Sequence, residues 1–431
     1  MPNFYHQTDV SVHRDCSLRR RDFLKWIPAA GVTAGLSWSD SLALEAAELR
    51  RQGMACIVLW MAGGPSQFET FSPLPDHANG GETRSIATAV PDIRIAENLP
   101  HVAGVMDEIA LLRSLTSKEG NHGRASFLLQ TGYLPNPSVK YPALGSHAAH
   151  QNADPDCELP AFCRIGGRGR NSAGAGFLGV RYEPFAHRKP NQIPANAKPV
   201  TEGDRYQRRL ELLNRLDQHY TTGGASAEVR DHKQLYENAS RMVLSSNMDA
   251  FDLTKEPEQV RQAYGESDFA TGCLLARRLV ESGVTFVEVT CPGWDTHDDN
   301  FNRSKALARQ IDQPMAQLIT DLRQRGMLDR TLVVWMGEFG RTPQINGRAG
   351  RDHYPRAFSV ALAGGGVRGG QVIGKVSEDG REVTDRPVTV PDLFQTFCKS
   401  LKIDPDKEAT TGIGRPIKVV EEGRPVGEVF G

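Results

Sequence analysis

Three short stretches in the C-terminal half of the chain carry side chains able to hold a metal ion. They are Trp294-Asp295-Thr296-His297-Asp298-Asp299, Gly337-Glu338-Phe339-Gly340-Arg341-Thr342 and Gly350-Arg351-Asp352-His353-Tyr354-Pro355. Asp295, His297, Glu338 and His353 together offer the oxygen and nitrogen donors that divalent cations take. Any one of them alone reads equally well as a polar residue capping a turn. Three acid/histidine clusters between residues 294 and 355 favour a shared site instead.

The first two stretches directly follow apolar runs, Val284 to Val289 and Leu332 to Met336, which read as buried strands. Carboxylates and imidazoles at the carboxyl ends of parallel strands lie where open α/β sheets place their ligands. Upstream, Ile57 to Met61 is another apolar run, ending in the turn Gly63-Gly64-Pro65-Ser66, and Ile109 to Arg113 repeats the pattern before Asn121-His122-Gly123. Helical stretches are expected near 125–130, 268–282, 302–325 and 391–401, and strands at 162–165 and 357–363. Residues 133–200 are rich in Pro, Gly and Asn and read as a loop-heavy cover. Residues 203–250 show Tyr206, Leu210, Leu213 and Leu216 at helical spacing among charges, a helical insertion with a solvated face. The fold class is therefore α/β, a mostly parallel central sheet flanked by helices.

Composition sets wider limits. A net charge of -1 gives no field favouring nucleic acid or an anionic membrane. The seven cysteines are scattered without CxxC spacing, which argues against a zinc ribbon or a disulfide-stapled fold; Cys157 and Cys163 are the only close pair. At the N-terminus, Arg19-Arg20-Arg21-Asp22-Phe23-Leu24-Lys25 precedes a short uncharged stretch, Trp26 to Trp38. This is a twin-arginine export pattern, with residues 1–47 as the signal and 48–431 as the mature domain, expected in the periplasm or outside the cell. Beyond it no apolar run is long enough for a membrane span.

With these motifs in place, the chain resembles a family of exported bacterial proteins of unknown function, numbered 1501, in the alkaline phosphatase and sulfatase superfamily. The resemblance runs from Ala55 to Gly431 and rests on Met61-Ala62-Gly63-Gly64-Pro65-Ser66, Asn121-His122-Gly123, Gln130-Thr131-Gly132, Ala276-Arg277-Arg278-Leu279-Val280, Ala363-Gly364-Gly365-Gly366 and the three acid/histidine stretches. It implies a sulfatase-like hydrolase of phosphate or sulfate esters that uses a divalent metal ion (Zn, Mn or Ca). Asp295 and His297 stand at the superfamily's Asp/His pair, His353 at its late histidine, and Glu338 where an Asp-His pair follows a late strand, with Phe339 at the histidine's place. The first strand should end in a metal-binding Asp, but Ala62 and Gly63 stand there; the nearest acid is Glu69. The nucleophile position falls on His122, and no Cys-x-Pro-x-Arg pattern exists.

Two functions follow. In the first, Asp295, His297, Glu338 and His353 hold a metal, Arg341 or Arg351 clamps the substrate anion, and His122 serves as a further ligand or general acid/base. Water attack on a small-molecule or polysaccharide ester replaces a covalent step, with Ser66 and Ser126 as fallback nucleophiles. In the second, the departures from the superfamily pattern mark a catalytically degenerate binding or assembly protein. The first reading requires the four donors to converge, with the Gly63-Gly64 turn and His122 beside them.

Overall fold

The computed structural model describes residues 53–167, 172–199, 204–222 and 226–431. The export signal expected over residues 1–47 lies outside the described residues.

The apolar runs form one sheet. Its strands are β1 (Ala55–Ala62), β2 (Ile109–Thr116), β3 (Phe162–Ile165), β4 (Phe185–His187), β5 (Phe286–Pro292), β6 (Thr331–Met336), β7 (Phe358–Ala363), β8 (Gln371–Ile373) and β9 (Val388–Thr389). The order is β8-β2-β7-β6-β1-β5-β3-β4, with β9 also paired to β2. Every pairing is parallel except those of β7, which runs antiparallel between β2 and β6. Register places Ala62 opposite Pro292 and Trp60 opposite Met336, so β1, β5 and β6 finish level. The loops leaving them therefore share one edge.

Strands buried on both faces need apolar side chains at every position, which is why they read as continuous runs. In β1, Ile57, Leu59 and Met61 join one core and Cys56, Val58 and Trp60 the other. Helices α1 (His122–Thr131), α2 (Leu144–Asn152) and α7 (Val390–Leu401) cover the second face through Leu129, Leu144, Leu393 and Phe394. Between them in sequence, α5 (Asp268–Glu281) and α6 (Asn300–Gln324) cover the first face through Leu274, Leu275, Leu307 and Ile311. Each fully buried side chain of this kind contributes about 1.5–3 kcal/mol.

The remaining long helices, α3 (Asp204–Thr222) and α4 (Ser226–Leu244), form the insertion; Tyr206 and Ser240 meet across them at 3.2 Å. The region 133–200 holds more order than its composition implies: α2 and β4 lie within it, besides the expected β3. The small residues of α2 explain the misreading, since Gly145 must lie against Phe162 and Phe286. Cys157 and Cys163 are free thiols. Among the described residues no helix is long and apolar enough to cross a membrane.

Candidate metal centre

The level strand ends deliver their loops to one place. Asp295 and His297 follow β5, and Glu338 follows β6. His122 opens α1 after β2; Asn121 caps that helix by accepting from the Gly123 and Arg124 amides. His353 arrives on a two-residue antiparallel ladder, His353–Tyr354 against Gly340–Arg341. The turn after β1 touches the same cluster: the Gly63 amide donates to Glu338 Oε1 at 3.0 Å. Gly63 sits at φ 119°, and a Cβ there would lie 2.4 Å from the Asp295 nitrogen, so only glycine fits.

Three imidazoles surround the Asp295 carboxylate. His122 Nε2 is 3.2 Å from Oδ2; His297 Nε2 and His353 Nε2 are 3.1 and 3.3 Å from Oδ1. His297 Nε2 and His353 Nε2 stand 2.9 Å apart. Each ring is held from behind through Nδ1. The partner is Glu338 Oε1 for His122, Asp352 Oδ1 for His297 and the Gly120 carbonyl for His353, each at 2.8 Å. A carboxylate or carbonyl can only accept, and each ring has such a group on both sides. The rear contacts of 2.8 Å are shorter than the 3.1 to 3.3 Å contacts with Asp295 and favour the proton of a neutral ring on Nδ1, which turns the Nε2 lone pair inward. Three lone pairs and a carboxylate then face one another, and Arg341 donates to that carboxylate from behind. His122 Nε2 is buried and has no hydrogen-bond partner among the described residues.

The electrostatics are set by the surroundings. Burial opposes ionisation of Asp295, but the hydrogen bond and charge of Arg341, with help from His122 and His353, hold its carboxyl at about 2. The Glu338 hydrogen bond is the largest influence on His122 and raises its pKa above the ordinary imidazole value. Burial is the largest for His353 and lowers it. The site remains open, with 45% of the Asp295 side chain and 35% of the His122 side chain exposed.

Several expected roles change. Glu338 faces the rear nitrogen of His122 instead of the point where the other donors meet. Arg341 and Arg351, expected to clamp a substrate anion, are both buried with their donors engaged. Arg341 reaches Gly64 O at 2.8 Å, Trp294 O and Arg351 O at 3.1 Å, Gly63 O, and Asp295 Oδ1 at 2.7 Å. Arg351 pairs with the fully buried Glu69 at 2.9 Å and reaches the carbonyls of Asn79, Thr342 and Pro343. Both guanidiniums tie the site's loops together. Ser66 is buried. Phe339 packs against the His122 and His353 rings, at centroid distances of 4.9 and 4.5 Å.

Sequence reasoning missed the supporting acceptors. Asp352 stands beside His353 in the third stretch and was open to discovery, but the Gly120 carbonyl carries no side-chain signal. His122, Asp295 and His353 each offer an atom within 4.8 Å of the others, a group that could hold a metal ion.

An α/β sheet with an acid/histidine cluster at the carboxyl ends of its strands defines the class. The chain belongs to the family described as "Protein of unknown function (DUF1501)", which it matches over residues 54–430. No curated relative matches the sequence. Solved structures with similarity include the PsFucS1 sulfatase from Pseudoalteromonas sp., at 13% identity and TM-score 0.40, covering 84% of this chain and 70% of that one. The phosphonate monoester hydrolase SpPMH from Silicibacter pomeroyi aligns at 13% identity and TM-score 0.40, over 88% and 76%. The C-terminal periplasmic domain of EcEptC from Escherichia coli, in complex with Zn, aligns at 11% and TM-score 0.37, over 88% and 95%.

Proposed function

We propose that the protein is an exported metal-dependent hydrolase of phosphate or sulfate esters, with His122, His297, His353 and Asp295 holding the metal. The observation that carries this reading is the convergence of three imidazole Nε2 atoms on one carboxylate. Without a cation, acceptors face acceptors, an arrangement that costs free energy unless a ring is protonated. Donors in a tetrahedral first-row site with bonds of about 2.0–2.1 Å stand about 3.3 Å apart. The spacings from Asp295 to the three rings and from His297 to His353, 2.9 to 3.3 Å, fit that set.

Three imidazoles and one carboxylate suit zinc better than manganese, and calcium, which takes oxygen ligands, least. Bound there, such an ion supplies Lewis-acid polarisation of the ester oxygen and lowers the pKa of a water molecule to near 7. The chain's own residues do the rest. Arg341 holds Asp295 ionised and fixes its orientation. Phe339 walls one side against water, while the exposed side admits a small-molecule or polysaccharide ester. His122, expected as acid/base or ligand, serves as ligand in this reading. Export by the twin-arginine route, to the periplasm or beyond, rests on Arg19-Arg20-Arg21 and the uncharged stretch after it.

The test is protein purified without chelator, assayed for bound metal and for turnover of activated phosphate and sulfate esters, with mass spectrometry of the quenched enzyme. Stoichiometric zinc, metal-dependent turnover and no covalent adduct on Ser126 are expected. A protein that takes up no metal refutes the reading; bound metal without turnover of any ester moves it to a binding or assembly role.

A further inference from the structure

We propose that Glu338 is a positioning residue which fixes the tautomer of His122 and takes no place among the metal's ligands. The inference rests on the metal-site reading but concerns a different residue and a different measurement.

Glu338 is set apart from the other carboxylates of the cluster by its depth. Its side chain is 3% exposed, against 45% for Asp295 and 59% for Asp352. Its Oε1 accepts two hydrogen bonds, from the Gly63 amide at 3.0 Å and from His122 Nδ1 at 2.8 Å. The Gly63 amide cannot reverse its role, so Oε1 must remain an acceptor. Its 2.8 Å contact with His122 Nδ1 is shorter than the 3.2 Å from Nε2 to Asp295, so a neutral ring keeps its proton on Nδ1 and leaves Nε2 bare toward Asp295. Oε2 is buried and takes no hydrogen bond among the described residues. All of the carboxylate's directed interactions thus run through the atom that holds His122.

The three histidines differ in what stands behind them. His353 leans on the neutral Gly120 carbonyl and His297 on the half-exposed Asp352, where solvent screens the charge. Only His122 is backed by a buried negative charge, where the interaction is screened least. His122 also sits in the first turn of α1, an environment that on its own disfavours a metal cation beside the ring. A buried carboxylate behind the imidazole raises the ligand's basicity and offsets that field. Glutamate at this position reaches from the end of β6 to a helix after β2, one methylene further than aspartate.

The test uses two variants and selectively 15N-labelled histidine. In metal-free wild-type protein at mildly alkaline pH, NMR should show His122 with the proton on Nδ1. Glu338→Ala removes the acceptor, should release His122 to the Nε2–H form, and should weaken zinc affinity by roughly 10- to 100-fold. Glu338→Gln keeps an acceptor facing the Gly63 amide and His122, so it should preserve the Nδ1–H tautomer and recover most of that affinity. If Glu338 were a ligand, Gln would lose as much affinity as Ala, because an amide replaces a metal-binding carboxylate. That result, or wild-type His122 protonated on Nε2, overturns the proposal. Failure of wild-type protein to bind zinc at all refutes the metal site itself, and the tautomer measurement then stands alone.

Discussion

Two clusters of charged side chains lie at opposite ends of the central sheet, and they handle charge in opposite ways. Near the amino ends of β5 and β6, Arg277 of α5 is wholly buried and meets Glu256 at 2.7 Å, Glu281 at 2.6 Å and Asp321 at 3.1 Å. Arg278 and Arg325 complete the network, with Arg325 binding Asp321 at 2.6 Å and Glu281 at 2.9 Å. Cations and anions alternate there, and each finds its complement within the protein. At the carboxyl ends three imidazoles backed by acceptors turn toward the Asp295 carboxylate, where Arg341 donates from behind and the front stands open to solvent. The first cluster is complete and holds helices; the second, on the proposed reading, is completed by a metal cation. Complementarity, more than the mere presence of charge, separates scaffold from site.

The largest expected effect breaks that comparison at the site. Replacing His353 by alanine should reduce zinc affinity by more than the roughly 100-fold that loss of an outer partner costs, while the melting transition of the metal-free protein moves little. Calorimetric zinc titration and thermal unfolding check both halves.

The converse variant is Arg277→Leu. Removing the buried cation shared by Glu256, Glu281 and Asp321 leaves these carboxylates to Arg278 and Arg325 alone and should destabilise the fold by up to about 3–5 kcal/mol in denaturant titration. Zinc stoichiometry should remain unchanged. Loss of zinc binding in the folded variant would mean that the two ends are coupled and that the contrast is false.

A third test sharpens the distinction between histidines. His147 of α2 is buried, its Nε2 has no hydrogen-bond partner among the described residues, and burial pushes its pKa down to about 3. In the unfolded chain it takes a proton near pH 6.5, so the unfolded state binds more protons throughout the interval between those values. The neutral ring's contribution is therefore fully present above about pH 6.5 and is lost as pH falls toward 3. Relative to wild type, His147→Leu should flatten the acid limb of the stability curve by up to about 5 kcal/mol. Identical acid limbs for the two proteins would show that His147 charges without unfolding.

The smallest effect is expected from Asp352→Asn. Its hydrogen bond to His297 is exposed and screened, so zinc affinity should fall only a few-fold, about tenfold at most. A loss matching that of Glu338→Ala would show that depth does not rank the outer partners.

Much of this was legible in the sequence. The runs 57–61, 109–113 and 332–336 announced buried parallel strands because such strands tolerate no polar alternation. His122, Asp295, His297 and His353 stood out because imidazoles and acids at strand ends have few structural reasons to cluster. Other features depended on distances that no local pattern encodes. Glu338 lies 216 positions from the histidine it supports, and Arg351 lies 282 from Glu69. A sequence shows a guanidinium near a site but not whether its donors are already engaged by carbonyls. The short strands β8 and β9 escaped for a related reason: with three and two residues, they are strands only because β2 is beside them.

On the proposed reading, one cation completes the acceptor cluster. Anomalous diffraction at the zinc edge, from crystals of protein dialysed against zinc, tests it directly. A single strong peak is expected, bonded to Nε2 of His122, His297 and His353 and to the Asp295 carboxylate, with Glu338 still behind His122. A peak bonded to Glu338 in place of His122, or no peak between the histidines at saturating zinc, would contradict it.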